Sequence, residues 1–275
     1  MTAAVELVPR SAALAASAER ALRAELAAYP KPGLVSHRDD GSHDDMSAVH
    51  FERSIEALRP HFTAIAEAGA RDADLGALRE LGVRAERAML LATGGVNTHR
   101  GSIFALGLLL AAAAGPEDGA SLGARVRARW GDELLRHPTD PGSHGGTARR
   151  RHGAGGALRE AAAGFASVYG TGLPGLRAAR RATGDPARAA VHAFFGLLAV
   201  VEDTNLLHRG DAAGLAWARA QARAFLDDGG AIADGWERRA VGVHRAFVER
   251  RLSPGGCADL LAATLMVDEL ERDAP

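Results

Sequence analysis

Ala92-Thr93-Gly94-Gly95-Val96-Asn97-Thr98-His99-Arg100-Gly101-Ser102-Ile103-Phe104-Ala105-Leu106-Gly107 reads as the opening of a helix, and the class of fold follows from that reading. A glycine pair frees the backbone, four polar side chains follow, and an apolar segment continues at helical spacing. The polar cluster therefore belongs at a helix N-terminus, where backbone N–H groups lack intrahelical partners and the macrodipole is positive. Asn97, Thr98, His99 and Arg100 add donors there, which suits a phosphate or nucleotide cradle. The alternative is a capped helix start, with Asn97 or Thr98 as cap and the glycines turning the chain. The stretch matches neither GxxxxGK(S/T) nor GxGxxG, so it does not choose between the two by itself.

Towards the N-terminus, the spacing predicts a helix over roughly Leu75 to Leu91, with Glu86 facing solvent. Ser11 to Ala28 sets Leu14, Leu22 and Leu26 against Glu19, Arg20, Arg23 and Glu25 in a first amphipathic helix, which Pro30 and Pro32 end. Residues 1–10 are expected to be a flexible N-terminus. Tyr29 to Met46 is a long polar loop, and loops of this length in helical domains are usually functional or disordered. It holds four carboxylates and two histidines within nine residues, a density suited to a divalent cation that escorts a polyphosphate. A solvated turn is the alternative, because Asp44, Asp45 and Ser47 also favour the start of the helix that runs to Gly69.

Towards the C-terminus, Gly115-Pro116 breaks the apolar helix, and Ser121 to Arg136 form a basic amphipathic one. His137 to Gly156 is irregular, and its Arg149, Arg150 and Arg151 suit either phosphate contact or a linker. Helix is expected over Leu158 to Val168, then a Gly-Pro loop, a short helix, and a strongly apolar, central helix from Pro186 to Val201. Glu202-Asp203-Thr204-Asn205-Leu206-Leu207-His208-Arg209-Gly210 follows, placing charge at the end of a buried element, where it is costly unless paired or metal-bound. Helices near Ala212 to Leu226 and Asp234 to Arg251 come next. Leu252-Ser253-Pro254-Gly255-Gly256-Cys257-Ala258-Asp259 then opens a last helix to Leu270, with Ser253 as cap and Pro254 at its first position.

Composition agrees. Of 275 residues, 47% are hydrophobic and only 5% aromatic, with much Ala, Leu and Arg and few β-branched side chains. The expectation is an all-α fold, a single compact multi-helix domain over residues 1–275 with functional loops at helix ends. A net charge of −1 supplies no basic field for nucleic acid. Cys257 is the sole cysteine, which excludes an internal disulfide and a multi-cysteine metal site and fits a reducing compartment. Glu6, Arg10, Glu19 and Arg20 interrupt any secretory-type apolar region, and the apolar run Ile103 to Ala114 is too short to span a bilayer. A cytoplasmic protein with no membrane partner is expected; a homo-oligomer is compatible with the sequence, which does not set the state.

Five segments, in order, resemble the triphosphoribosyl-dephospho-CoA synthases. They are Pro30-Lys31-Pro32-Gly33-Leu34-Val35, Gly41-Ser42-His43-Asp44-Asp45-Met46, Thr93 to Gly101, Asp203 to Gly210, and Leu252-Ser253-Pro254-Gly255-Gly256. Ser36 and the Gly-Ser-His wording look more like the malonate decarboxylase branch than the citrate lyase branch. Ser47 departs from the pattern, standing where an aspartate is expected after the methionine, which leaves Asp45, helped by Asp44, as the carboxylate of that segment.

The resemblance implies that ATP and 3′-dephospho-CoA give 2′-(5″-triphosphoribosyl)-3′-dephospho-CoA and adenine, the product passing on toward an acyl-carrier protein subunit. It also implies roles. Asp45 and Asp203, with Asn205 and Glu86, would hold Mg²⁺ on the triphosphate, and Lys31, Asn97, Thr98, His99 and Arg100 would bind phosphates. His43 or an unbound carboxylate would be the general base, with Asp45 and Asp203 near the reacting sugar, and His208 with Arg209 would position the second nucleotide. A metal-dependent nucleotide hydrolase and a non-enzymatic CoA- or nucleotide-delivery protein are the alternatives.

Overall fold

A computed structural model of the chain describes residues 2–136 and 154–272. These residues form eleven α-helices and no strand. In order they are α1 (Thr2–Ala27), α2 (Ala48–Ala70), α3 (Leu75–Ala92), α4 (Arg100–Ala114), α5 (Leu122–Arg136), α6 (Gly156–Ala162), α7 (Leu173–Thr183), α8 (Pro186–Val200), α9 (Thr204–Asp227), α10 (Trp236–Glu249) and α11 (Gly255–Arg272). A π-helical turn at Val168–Gly172 and a 3-10 turn at Gly230–Ile232 complete the set. Of the irregular stretch expected from His137 to Gly156, residues 137–153, with all three arginines, lie outside the described residues.

Two helices are apolar round most of their circumference, α4 and α8, and both are central. α2 packs on α1, α3 and α4, while α8 is flanked by α7 and α9; α11 lies against α1, α4 and α8 and joins the two groups. Gly69 lets α2 approach α4 closely, since a Cβ there would fall on the Ala111 backbone. Phe62, Phe194, Phe195 and Phe247 are fully buried, each worth roughly 1.5–3 kcal/mol by removal from water. Helix ends follow local rules: Asp74 caps α3, Asp185 caps α8 with Pro186 next to it, and Gly184 ends α7 at φ 67°. Among the described residues no single helix is long and apolar enough to cross a membrane.

Several boundaries differ from those the spacing predicts. α1 begins at Thr2 rather than Ser11, in keeping with the helix formers Ala3, Ala4 and Leu7. The helix expected over Leu158 to Val168 stops at Ala162, because Gly164 (φ 75°) and Phe165 (φ 58°) take left-handed conformations. Most relevant to function, the charged segment after α8 is itself helical from Thr204, and α9 breaks only at Asp211 (φ 53°, ψ −163°). His208 and Arg209 therefore sit on an opening helical turn.

Candidate active site

The loop between α1 and α2 is clamped to α10 and to the segment before α11. Gly33 (φ 70°) and Gly41 (φ 57°) turn the chain in the left-handed region, and a Cβ on Gly33 would fall on the Leu252 carbonyl oxygen. Ser42 Oγ donates to that same carbonyl at 2.7 Å. His244 of α10 joins the Lys31 carbonyl through Nδ1 at 3.0 Å and the Asp39 carboxylate through Nε2 at 3.1 Å. Asp44 and Asp45 remain exposed.

This clamping places His43 between three partners. Its Nε2 is 2.8 Å from Ser253 Oγ, and its Nδ1 is 3.4 Å from Arg209 Nη2 and 3.6 Å from Asp45. A guanidinium only donates, so Nδ1 accepts and Nε2 carries the hydrogen given to Ser253. Burial first, then Arg209, lowers the His43 pKa, so the ring is neutral near pH 7. Arg209 also donates to the carbonyls of Ser42 at 3.3 Å and Arg251 at 3.1 Å. Ser253, expected to cap the last helix, turns its hydroxyl to His43 instead.

The capping of α11 falls to Asp203, from far upstream. Asp203 Oδ1 accepts from the N–H groups of Asn205 (2.8 Å) and Leu206 (3.1 Å), capping α9, while Oδ2 accepts from the Cys257 N–H at 2.8 Å. Gly256 lies against the same carboxylate, and the Asn205 side chain lies over Gly255. Asp203 is buried, and burial raises its pKa against these hydrogen bonds.

The start of α4 is closed from both sides. Asn97 Oδ1 accepts from the Arg100 N–H at 3.2 Å, as a capping residue does, and Arg100 pairs with Glu86. His99 points inward, with Nδ1 2.7 Å from Ser54 Oγ and its ring edge-on to Phe51; burial lowers its pKa to about 3. Thr98 Oγ1 and His99 Nε2 are buried without a partner. Asp259 of α11 completes the closure: Ser102 Oγ donates to its Oδ1 at 2.5 Å, and a Cβ on Gly101 would fall on its Oδ2. The half-buried Asp259 has its pKa pushed up to about 7, chiefly by removal from water, with Asp203 and Glu25 adding to the shift and Ser102 opposing it.

The residues expected to act together are thus only partly assembled. His43, Arg209 and Asp45 meet. Lys31, expected on phosphate, is buried with Nζ 3.2 Å from the Glu25 carboxylate and 2.6 Å from the Glu25 carbonyl, so it faces protein. The four groups expected around Mg²⁺ do not converge: Asp203 serves two helix ends, Glu86 holds Arg100, and Asp45 lies out by His43. Among the described residues no group of three or more His, Cys, Asp or Glu side chains is arranged to hold a metal ion. Gly170-Thr171-Gly172-Leu173-Pro174-Gly175 spells GxGxxG, but no strand precedes it and a Cβ on Gly172 would fall on Thr264, so it is a packing contact.

Residue pattern alone does not single out Asp259 or Glu25. Asp259 sits in the quoted start of the last helix without a role, and Glu25 reads as a polar-face residue. The one available signal is that the only lysine in an arginine-rich chain stands six residues after Glu25.

The frame is all-α, with polar segments meeting at the ends of buried helices, and it is not a dinucleotide-binding sheet. The family described as "CitG: ATP:dephospho-CoA triphosphoribosyl transferase" matches residues 11–275, and the chain belongs to that family. A protein of Azotobacter vinelandii called "Probable 2-(5''-triphosphoribosyl)-3'-dephosphocoenzyme-A synthase" is 41% identical over 285 residues, 98% of this chain and 97% of the relative. Proteins of the same name from Stutzerimonas stutzeri (42% over 267 residues; 94% and 91%) and Acinetobacter calcoaceticus (36% over 263; 93% and 90%) are also similar. No solved structure matches.

Proposed function

We propose that the chain moves the 5″-triphosphoribosyl group of ATP to the 2′-hydroxyl of 3′-dephospho-CoA and releases adenine. We propose further that the product is the prosthetic-group precursor for the acyl-carrier subunit of malonate decarboxylase, made in the cytoplasm. One observation carries the reading: segments far apart in sequence that resemble the family are joined to one another by side-chain hydrogen bonds. Ser42 and His43 reach Leu252 and Ser253, Arg209 reaches Ser42, and Asp203 reaches Cys257, the residue just after the last of these segments.

Cleaving the N-glycosidic bond builds positive charge on the ribose, and carboxylates held near it stabilise that charge. Asn97, Arg100, His208 and Arg209 are exposed side chains whose N–H groups a phosphate can reach. The Arg100–Glu86 pair is a surface pair, worth about 0–1 kcal/mol, and gives way readily to a phosphate. Mg²⁺ belongs to this reading as the companion of the triphosphate, which supplies oxygen ligands itself; it is assigned no protein cage. The acceptor hydroxyl needs a group to take its proton, and the residues offer His43 or a carboxylate free of capping duty.

Chromatography of adenine from ATP, dephospho-CoA and Mg²⁺ tests the reaction. Adenine is expected only, or much faster, with dephospho-CoA present. Equal release without the acceptor makes the protein a hydrolase, and tight binding with no release makes it a delivery protein. The malonate decarboxylase branch is supported by Ser36, and it fails if deleting the gene leaves the prosthetic-group mass on that acyl-carrier subunit unchanged.

A further inference from the structure

We propose that Asp259 is the catalytic residue that accepts the proton of the acceptor hydroxyl, an inference that rests on the transfer reaction above. Three helices, α4, α9 and α11, begin beside one another. Asp203 gives both carboxylate oxygens to two of these starts. Asp259 faces the third, where Ser102 holds Oδ1 at 2.5 Å. Oδ2 lies over the bare Cα of Gly101, in space that any other side chain would fill. Asp259 is half-buried, as are Gly255 and Gly256 at the start of the same helix.

The charged groups facing Asp259 are Glu25 from α1 and Asp203 from the segment before α9, with buried Cys257 on its own helix. Lys31, a cation of this neighbourhood, is bound to Glu25, and Arg219 acts on Cys257. Asp259 is therefore a carboxylate beside two others with no cation of its own in that set. Its pKa, pushed up to about 7, suits a general base, which works best when its pKa is near the operating pH. Of the other acceptors, His43 is engaged through both ring nitrogens and Asp203 through both oxygens, while Asp45 is exposed and lies 3.6 Å from His43.

The acceptor oxygen bonds to C1″ as the C1″–N bond to adenine breaks, and that electron pair leaves with the base. The hydroxyl proton passes to the Asp259 carboxylate and then to solvent, while solvent protonates the departing adenine, so charge and atoms balance. 

Adenine release by wild type, Asp259→Asn, Asp259→Glu and Ser102→Ala is to be followed across pH, with ATP affinity measured by calorimetry. Asp259→Asn is expected to lower kcat by about 10²–10⁴ with ATP affinity little changed, and Asp259→Glu to recover part of the rate. The Ser102 hydrogen bond favours the charged carboxyl, so Ser102→Ala should move the acid limb of kcat to higher pH. Asp259→Asn with wild-type kcat and the same acid limb overturns the role. Where Asp259→Asn fails to fold, an unmoved limb in Ser102→Ala overturns it. A wild type that releases no adenine overturns the reaction, and this role with it.

Discussion

Asp203 Oδ2 accepts a hydrogen bond from the Cys257 N–H at 2.8 Å, across 54 positions of sequence, while Oδ1 caps its own helix. One carboxylate thus ties the start of α9 to the start of α11. In Asp203→Asn the amide keeps one acceptor, and its NH₂ group meets an N–H that needs one. Leaving a buried donor unsatisfied costs about 1–3 kcal/mol, so the variant should melt several degrees below wild type. Excess Mg²⁺ should restore neither stability nor activity. Rescue of adenine release by Mg²⁺ in Asp203→Asn would return Asp203 to the metal.

The Lys31–Glu25 pair leads to a second expectation. Both side chains are buried, and removing one partner of such a pair costs about 3–5 kcal/mol, whereas replacing both by apolar groups is often neutral or better. Lys31→Met should therefore be severely destabilised, and Lys31→Met with Glu25→Leu should recover most of the loss in denaturant melts. Because Lys31 faces protein, the double variant should keep wild-type ATP affinity. A double variant that is stable but no longer binds ATP would put Lys31 back among the phosphate ligands.

The helical class was legible because apolar spacing and Gly or Pro breaks are local signals. Asp74 and Asp185 could be read as caps, since each serves the helix it precedes. Asp203 was visible as charge at the end of a buried helix, but its link to Cys257 was not, because no spacing rule reaches across the chain. Asn97 could be read as cap or phosphate ligand, and its Oδ1 meets the Arg100 N–H three residues on; the approach of Asp259 to the same helix start was not legible, because it comes from a helix far along the chain. Ser253 shows the converse: its local cap signal is sound, yet a tertiary contact with His43 takes the hydroxyl.

Asp259 should also leave a mark on stability. Its folded pKa, about 7, lies above the unfolded value of about 3.9, so the folded chain binds the proton more tightly between the two. Stability present below pH about 4 is then lost as pH rises towards 7. Asp259→Asn cannot ionise, so its melting temperature relative to wild type should climb steadily over that interval. A difference that stays flat with pH would mean that the carboxyl is not shifted.

His99 should behave in the opposite sense. Buried against Phe51 and Ser54 (ring centroids 4.9 Å; Nδ1 to Oγ 2.7 Å), it has a pKa near 3, against about 6.5 when unfolded. The folded state thus resists protonation, so stability present above pH about 6.5 is lost as pH falls towards 3. Wild type should lose melting temperature on acidification from neutrality, and His99→Phe, which has no proton to take up, should lose less over the same range. An imidazole that stays neutral brings no charge to a phosphate. ATP affinity in wild type should therefore gain nothing from His99 below pH about 6.5, and His99→Phe should show the same pH dependence of binding. A gain in affinity on acidification that disappears in His99→Phe would show that this ring turns outward and binds phosphate as a cation.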